Sequence, residues 1–72
     1  MARFKTGERV QILSTVATPF AGLVGQIHEV RAHPRGITTL DQYVVAFPWG
    51  ESRIFDDVQL IRAMEGKKRF VA

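Results

Sequence analysis

The chain has 72 residues, of which 46% are hydrophobic and 24% are charged, which is the composition of one small globular domain rather than of a disordered segment. It contains no cysteine, which excludes disulfides and thiolate metal sites, so packing must supply the stability. A net charge of +3 favours acidic partners such as nucleic acid, although a small excess of cations also serves solubility.

The first half of the sequence predicts two strands joined by a loop. Residues 9–13 alternate polar and apolar side chains, with Val10 and Ile12 on one face. A loop and a Pro-Phe-Ala-Gly turn follow, and residues 23–32 form the second strand. Because Val24 and Ile27 cannot share a face under strict alternation, we expect a bulge or sharp coil near Gly25. Val30 conflicts with Ile27 in the same way, so we expect the strand to bend again there or to switch sheets.

The second half predicts a hairpin and a closing strand. A turn signal at residues 33–36 precedes a polar loop through residue 40. Residues 43–47, apolar on both faces, predict an interior strand, and residues 51–55 return after the turn at residues 48–50. A helical turn at residues 56–59, capped by aspartate, leads into a strand at residues 60–62. This order predicts an all-β fold: a five-stranded, partly open barrel of the SH3-like kind, with one short 3-10 turn before the last strand.

Two runs in the first half resemble the KOW motif, which opens SH3-like barrels in transcription elongation factors and some ribosomal proteins. They are Gly7-Glu8-Arg9-Val10-Gln11-Ile12 and Pro19-Phe20-Ala21-Gly22-Leu23-Val24-Gly25-Gln26-Ile27. The loop between them is longer than in the family, and Thr18 stands where the family has glycine. The resemblance implies an SH3-like barrel that docks on nucleic acid or a ribonucleoprotein.

The layout of residues 5–62 is also similar to that of the SH3-like accessory barrels of electron transport. These include the small stromal subunit of photosystem I, the variable chain of ferredoxin–thioredoxin reductase and the β-subunit tail of nitrile hydratase. The matching residues are Gly7 to Val10, Gly22 to Gly25, Tyr43 to Phe47 and Asp56 to Leu60. This resemblance implies an alternative function, protein–protein docking as an accessory subunit of a larger complex such as a redox complex.

Catalytic and metal-binding patterns are missing from the sequence. His28 and His33 are the two histidines, and no ligand spacing surrounds them. Ser14 and Ser52 have neither a base pattern nor a nucleophile elbow nearby. We therefore expect a binding module rather than an enzyme, with no metal and no cofactor.

The expected contact surface combines aromatic and basic side chains. Trp49 at a hairpin tip and Phe20 in a turn are suited to stacking against bases or to a protein interface. Cations that we expect to add charge lie on strands, in a loop and near the C-terminus. The candidate binding residues are Phe20, Arg31, His33, Arg35, Trp49, Arg53, Lys67, Lys68 and Arg69.

The remaining expectations concern organisation and location. Residues 1–63 are expected to form the barrel and residues 64–72 a flexible basic C-terminal tail. No apolar run is long enough to span a bilayer, and no apolar stretch follows the N-terminal cations as in a secretory signal. We therefore expect a soluble cytoplasmic protein that binds nucleic acid or a ribonucleoprotein, or otherwise a protein partner. Pairing of exposed strand edges between copies would give a homo-oligomer.

Overall fold

Five antiparallel strands form the fold in the computed structural model, which describes residues 2–63. Their order in the sheet is β4-β3-β2-β1-β5, and the outer strands β4 and β5 do not pair within the described residues, so the sheet is a partly open barrel. The all-β, SH3-like prediction is confirmed at this level. The strands are β1 (Arg9–Ile12), β2 (Val24–Arg31), β3 (Gln42–Ala46), β4 (Ser52–Asp56) and β5 (Leu60–Arg62).

The 3-10 turn predicted before the last strand is present, and the chain forms a second one. The predicted turn spans Asp57–Gln59, and Asp56 and Gln59 close a capping box in which the Gln59 side chain accepts from the Asp56 N–H at 2.9 Å. The second spans Thr38–Leu40, inside the segment predicted as a loop. It packs against the Asp57–Gln59 turn. This contact joins distant parts of the chain, and a three-residue segment carries too little sequence signal to predict it. Within the described residues, no helix is long and apolar enough to cross a membrane.

The irregularity in β2 lies at His28 and not at Gly25. The pairing with β3 shifts between Ile27 and Glu29, which is the second bend that the sequence predicts. At Gly25 the pairing with Val10 is regular, and Gly25 itself takes the buried position while Val24 faces outward. Val24 and Ile27 therefore lie on opposite faces of β2, and no bulge is needed at Gly25. Gly25 shares the core-facing side with Ile27, at a position where there is no room for a side chain.

The core is a single cluster of apolar side chains from every strand and from the N-terminal segment. The interior position of β3 is confirmed, and both Tyr43 and Phe47 are buried as predicted. Ring contacts extend the cluster, since Phe4 meets Tyr43 edge to face at 5.3 Å between centroids. The buried apolar residues are Phe4, Val10, Ile12, Ile27, Tyr43, Val45, Phe47, Phe55 and Leu60.

The hydroxyl of Tyr43 fixes the N-terminal segment to this core. It accepts hydrogen bonds from the backbone N–H groups of Arg3, at 3.1 Å, and Phe4, at 3.3 Å. These donors lie ahead of β1 and have no sheet partner of their own. The tyrosine oxygen therefore satisfies two backbone groups that burial would otherwise leave without an acceptor.

Changing Tyr43→Phe is expected to lower the free energy of unfolding by about 1–2 kcal/mol, because the ring is kept while two N–H groups lose their acceptor. Urea unfolding followed by far-ultraviolet circular dichroism measures the change. Phe55→Tyr, which adds a hydroxyl to another core ring, is a useful comparison. A Tyr43→Phe protein as stable as the parent would show that these hydrogen bonds contribute nothing net.

Side chains bond to some of the backbone groups at the open edges of the sheet. Phe47 and Glu51 form a hydrogen-bonded pair, because Phe47 N–H donates to Glu51 O. Hydrogen-bonded pairs alternate along antiparallel strands, so the backbone groups of Ser52, Ile54 and Asp56 point away from β3, toward the open edge of β4. Arg53 Nη1 donates to Ser52 O at 3.0 Å, and Gln59 accepts from the Asp56 N–H. At the β5 edge, Arg3 Nη2 donates to Leu60 O at 2.8 Å. These bonds occupy some of the backbone groups at both edges, which disfavours pairing with a second copy there.

Candidate contact surface at the hairpin tip

The β3–β4 hairpin presents Trp49 at its tip. Phe47 N–H donates to Glu51 O at 2.8 Å and Gly50 N–H donates to Phe47 O at 2.9 Å, which closes a three-residue loop. Pro48 sets the first loop position, and Gly50 adopts a φ of +95° that a residue with a side chain rarely takes. This rigid turn leaves Trp49 55% exposed to solvent.

Phe20 reaches the same place from the loop between β1 and β2. Its N–H donates to Thr18 Oγ1 at 3.3 Å, and its carbonyl accepts from the Leu23 N–H at 3.0 Å. The loop is also tied to β1, because Gln11 Nε2 donates to Gly22 O at 3.0 Å. Turn chemistry local to residues 18–23 therefore fixes where the Phe20 ring lies.

The two rings meet over the end of the core. Phe20 and Trp49 each stack on buried Phe47, with centroids at 4.9 and 5.0 Å and interplanar angles of 17° and 10°. Phe20 and Trp49 are themselves within 7° of parallel at 6.4 Å. Phe55 supports the group from below, edge-on to both phenylalanines at 78° and 86°. We call these four residues, Phe20, Phe47, Trp49 and Phe55, the tip cluster.

Two charged side chains border the tip cluster. The Arg53 guanidinium lies over the Phe20 ring, 5.4 Å from its centroid. Glu51 accepts a hydrogen bond from Trp49 Nε1 at 2.9 Å and also forms an ion pair with Arg53. Trp49, Glu51 and Arg53 thus lie on one hairpin, and all three keep access to solvent.

An open groove of about 330 Å³ adjoins the hairpin, with Phe47 and Pro48 on one wall. Gly25 and Arg9 also line the groove. Within residues 2–63, the Arg9 guanidinium has no ion-pair partner. The groove therefore offers a free cation next to the exposed aromatic surface.

The structure brings together only some of the predicted contact residues. Phe20, Trp49 and Arg53 lie at the tip cluster. Arg31 pairs with Gln42 and Arg53 with Val45, so the two arginines lie on opposite faces of the sheet and about 10 Å apart along β3. Lys67, Lys68 and Arg69 fall outside the described residues.

Arg31, His33 and Arg35 lie together at the end of β2 and in the loop that follows. Arg31 Nε forms an ion pair with Glu29 Oε2 at 3.2 Å. The His33 N–H donates to buried Asp41 Oδ1 at 2.6 Å, and His33 Nδ1 accepts from the Arg35 N–H at 3.2 Å. These bonds stabilise the conformation of the loop, so His33 has a structural role there in addition to any role in binding a partner.

Charge is nearly balanced on the described part of the barrel. Residues 2–63 carry seven Lys and Arg against six Asp and Glu, a net of +1, and the rest of the positive excess lies in residues 64–72. Four of the seven cations are in ion pairs, Arg3 with Asp57, Arg31 with Glu29, Arg53 with Glu51 and Arg62 with Glu8. This part of the chain therefore has no broad basic face, and specific side chains must supply any attraction for an anion.

A second exposed surface carries apolar side chains among polar ones. Leu40 and Val58 are each more than half exposed and line a shallow groove between the two 3-10 turns. Ile54, on the outer face of β4, is also exposed. His33 and Asp56 lie at the polar margin of this groove.

Sequence reasoning missed Glu51, Phe47 and Phe55 as members of the contact surface. The apolar pattern around Phe47 and Phe55 predicts strands and burial, but it does not predict which aromatic rings these two residues contact. A signal for Glu51 was present, because a carboxylate two residues after a tip tryptophan and two before an arginine can reach both. Within residues 2–63, no group of three or more His, Asp or Glu side chains is arranged to hold a metal ion.

No protein-family model matches the chain, and no curated protein sequence matches it.

Proposed function

We propose that the barrel is a small non-catalytic binding module that docks on single-stranded nucleic acid, or on its exposed bases in a ribonucleoprotein, through the tip cluster. The observation that carries the proposal is the stack of Phe20 and Trp49 on Phe47, with the outer tryptophan open to solvent. The KOW-like runs in the sequence support the same class of ligand.

Stacking on the indole supplies the attraction. Every base has an aromatic face, and stacking one base on an aromatic side chain contributes about 1–3 kcal/mol. The Trp49 side chain is held in place by its hydrogen bond to Glu51 and by the Phe47 ring, so little freedom is lost when a base arrives. A base inside a duplex is not available for this contact, which is why the proposed ligand is single-stranded.

Cations near the cluster position the backbone of the ligand. Arg53 and Arg9 flank the aromatic surface, and Lys67, Lys68 and Arg69 add charge from the C-terminal residues. Because the described barrel has a net charge of only +1, we expect weak, micromolar binding that falls as salt is added.

The test is a titration of labelled 15-nucleotide RNA and DNA, single-stranded and duplex, followed by fluorescence anisotropy at low salt. Trp49→Ala is expected to weaken single-strand binding by about tenfold or more, and Trp49→Phe by about threefold or less, because a smaller aromatic face remains. Ile54→Ala, which removes an exposed apolar side chain from β4, is the matched control and should bind as the parent does.

Two outcomes would overturn this proposal. One is a folded parent protein that binds no single strand at about 100 μM, a concentration that would reveal an interaction as weak as about 5 kcal/mol. The other is duplex binding as tight as single-strand binding, which would leave stacking without a role. Thermal unfolding of each variant shows that the barrel is intact.

Protein–protein docking is a second candidate function, favoured by the exposed Leu40 and Val58 around the second groove. Apolar side chains in such a shallow groove suit a protein partner better than a polyanion. Pull-down from nuclease-treated source lysate separates the two candidates. Partners retained by the parent but lost with Leu40→Ser would favour docking, and equal capture by both would count against it.

A further inference from the structure

We infer that Glu51 occupies an anion subsite at the hairpin tip and that a phosphate of the bound strand replaces its carboxylate. This inference rests on the proposed function and identifies Glu51 as the residue that limits the affinity of the protein for the nucleic acid strand. Two donors, Trp49 Nε1–H and the Arg53 guanidinium, converge on the Glu51 carboxylate. A backbone phosphodiester presents the same kind of acceptor oxygens and the same single negative charge, so the pair of donors suits either anion.

The geometry allows the exchange. The side chains of Glu51 and Arg53 are 33% and 52% exposed, so neither donor is sealed behind the carboxylate. Glu51 directly precedes β4, and its backbone carbonyl accepts from Phe47 N–H. Its carboxylate makes no other hydrogen bond or ion pair within the described residues. Rotation of this one side chain into water would release both donors while the strand pairing stays intact.

The position of the subsite fits a strand stacked on Trp49. Arg53 lies over Phe20, and Phe20 is nearly parallel to Trp49 at 6.4 Å. A base on the indole therefore places its own sugar and phosphate within reach of the arginine. Glu51 then acts as an internal competitor, which lowers affinity for anionic ligands until the aromatic contact is made.

The experiment compares two charge-removing variants, Glu51→Gln and Glu29→Gln. Each removes one carboxylate that is paired with an arginine two residues away, so the change in net charge is identical. The Arg31–Glu29 pair lies away from the tip cluster, so its variant reports the general electrostatic effect. The probe is the labelled 15-nucleotide single-stranded RNA, titrated at several salt concentrations.

Glu51→Gln is expected to tighten binding by about fivefold and to steepen the salt dependence by about 0.7 in log–log slope, the value for one added phosphate contact on a single strand. Glu29→Gln should change the affinity by less than about twofold, because an exposed charge at that distance is largely screened. Adding Arg53→Ala to Glu51→Gln should abolish the gain, since the released guanidinium is then absent.

The outcomes separate this inference from the proposed function. Equal effects of Glu51→Gln and Glu29→Gln, or weaker binding by Glu51→Gln, would overturn the subsite while parent binding sustained the function. A folded parent that fails to bind at about 100 μM would overturn the proposed function and, with it, this inference. Trp49 fluorescence, kept in all of these variants, reports whether the tip remains folded.

Discussion

Replacing Gly25 by alanine is expected to lower the free energy of unfolding by about 3 kcal/mol or more, the largest effect of any single change considered for this chain. A Cβ at this position would lie 2.5 Å from Val45 Cγ1, 2.9 Å from Ala46 O and 3.2 Å from the Phe47 ring. Val45 is a core residue, and Ala46 O belongs to the backbone of β3, so the crowded atoms have little freedom to move away.

The consequence is global because the domain is small. A barrel of this size has only about 5 kcal/mol of stability to lose. Displacing β3 also shifts Phe47, on which the rings of Phe20 and Trp49 stack. We therefore expect Gly25→Ala to unfold at a much lower urea concentration, and its Trp49 emission to resemble that of the unfolded chain under conditions where the parent is folded.

Gly36→Ala is the matched control. Gly36 has a φ of +71°, but a Cβ added there would have no neighbouring atom within 4 Å, so alanine meets backbone strain without a steric clash. The expected cost is about 1 kcal/mol. If the two variants were equally stable, close packing between β2 and β3 would not be the reason for a glycine at position 25.

Sequence alone was sufficient for the elements whose signals are local. Residues 60–62 match β5 as observed, and the strands flanking Pro48 and Gly50 were predicted to within one residue, because a proline–glycine turn fixes the hairpin register. The place of Trp49 at the hairpin tip followed from the same turn. Each of these features depends on neighbours within a few residues in the chain.

Features that depend on distant contacts were not predictable in this way. The Thr38–Leu40 turn is backed by the Asp57–Gln59 turn, and the joining hydrogen bond runs from Asp57 N–H to Asp41 O at 2.9 Å. Phe20 and Trp49 were each singled out, but their stacking across 29 positions of sequence required the closed barrel. In the sequence Arg3 is one cation of a basic N-terminus, whereas in the structure its guanidinium forms hydrogen bonds with Asp57 in the 3-10 turn before β5.

Arg3→Ala is expected to lower the free energy of unfolding by about 2–3 kcal/mol, more than a surface arginine usually contributes. Its Nε contacts Asp57 Oδ1 at 3.0 Å, and its Nη2 donates to the carbonyls of Asp57 and Leu60, each at 2.8 Å. The Asp57 side chain is only 6% exposed. Loss of the guanidinium leaves a buried carboxylate without its counter-charge and loosens the join between the N-terminal segment and β5.

The reverse change should cost less. Arg3 is 44% exposed, so without Asp57 its charge is solvated by water, and the asparagine of Asp57→Asn keeps an oxygen that accepts from Arg3 Nε. We expect a loss of about 1 kcal/mol for Asp57→Asn, well below that for Arg3→Ala. Equal losses in urea unfolding would mean that burial of the carboxylate does not set the energetics of the pair.

The double variant tests whether the unpaired buried charge of Asp57 causes the loss of stability in Arg3→Ala. In Arg3→Ala/Asp57→Asn the buried group is a neutral amide, so the penalty for an unpaired charge disappears even though the hydrogen bonds are gone. The double variant should therefore be more stable than Arg3→Ala alone by about 1 kcal/mol. With the loss of about 1 kcal/mol expected for Asp57→Asn alone, this corresponds to a coupling energy of about 2 kcal/mol, which is within the range for residues in direct contact. Additive losses would show instead that Arg3 acts through the Leu60 carbonyl and the Phe4 ring, 4.4 Å from its guanidinium carbon, and not through Asp57.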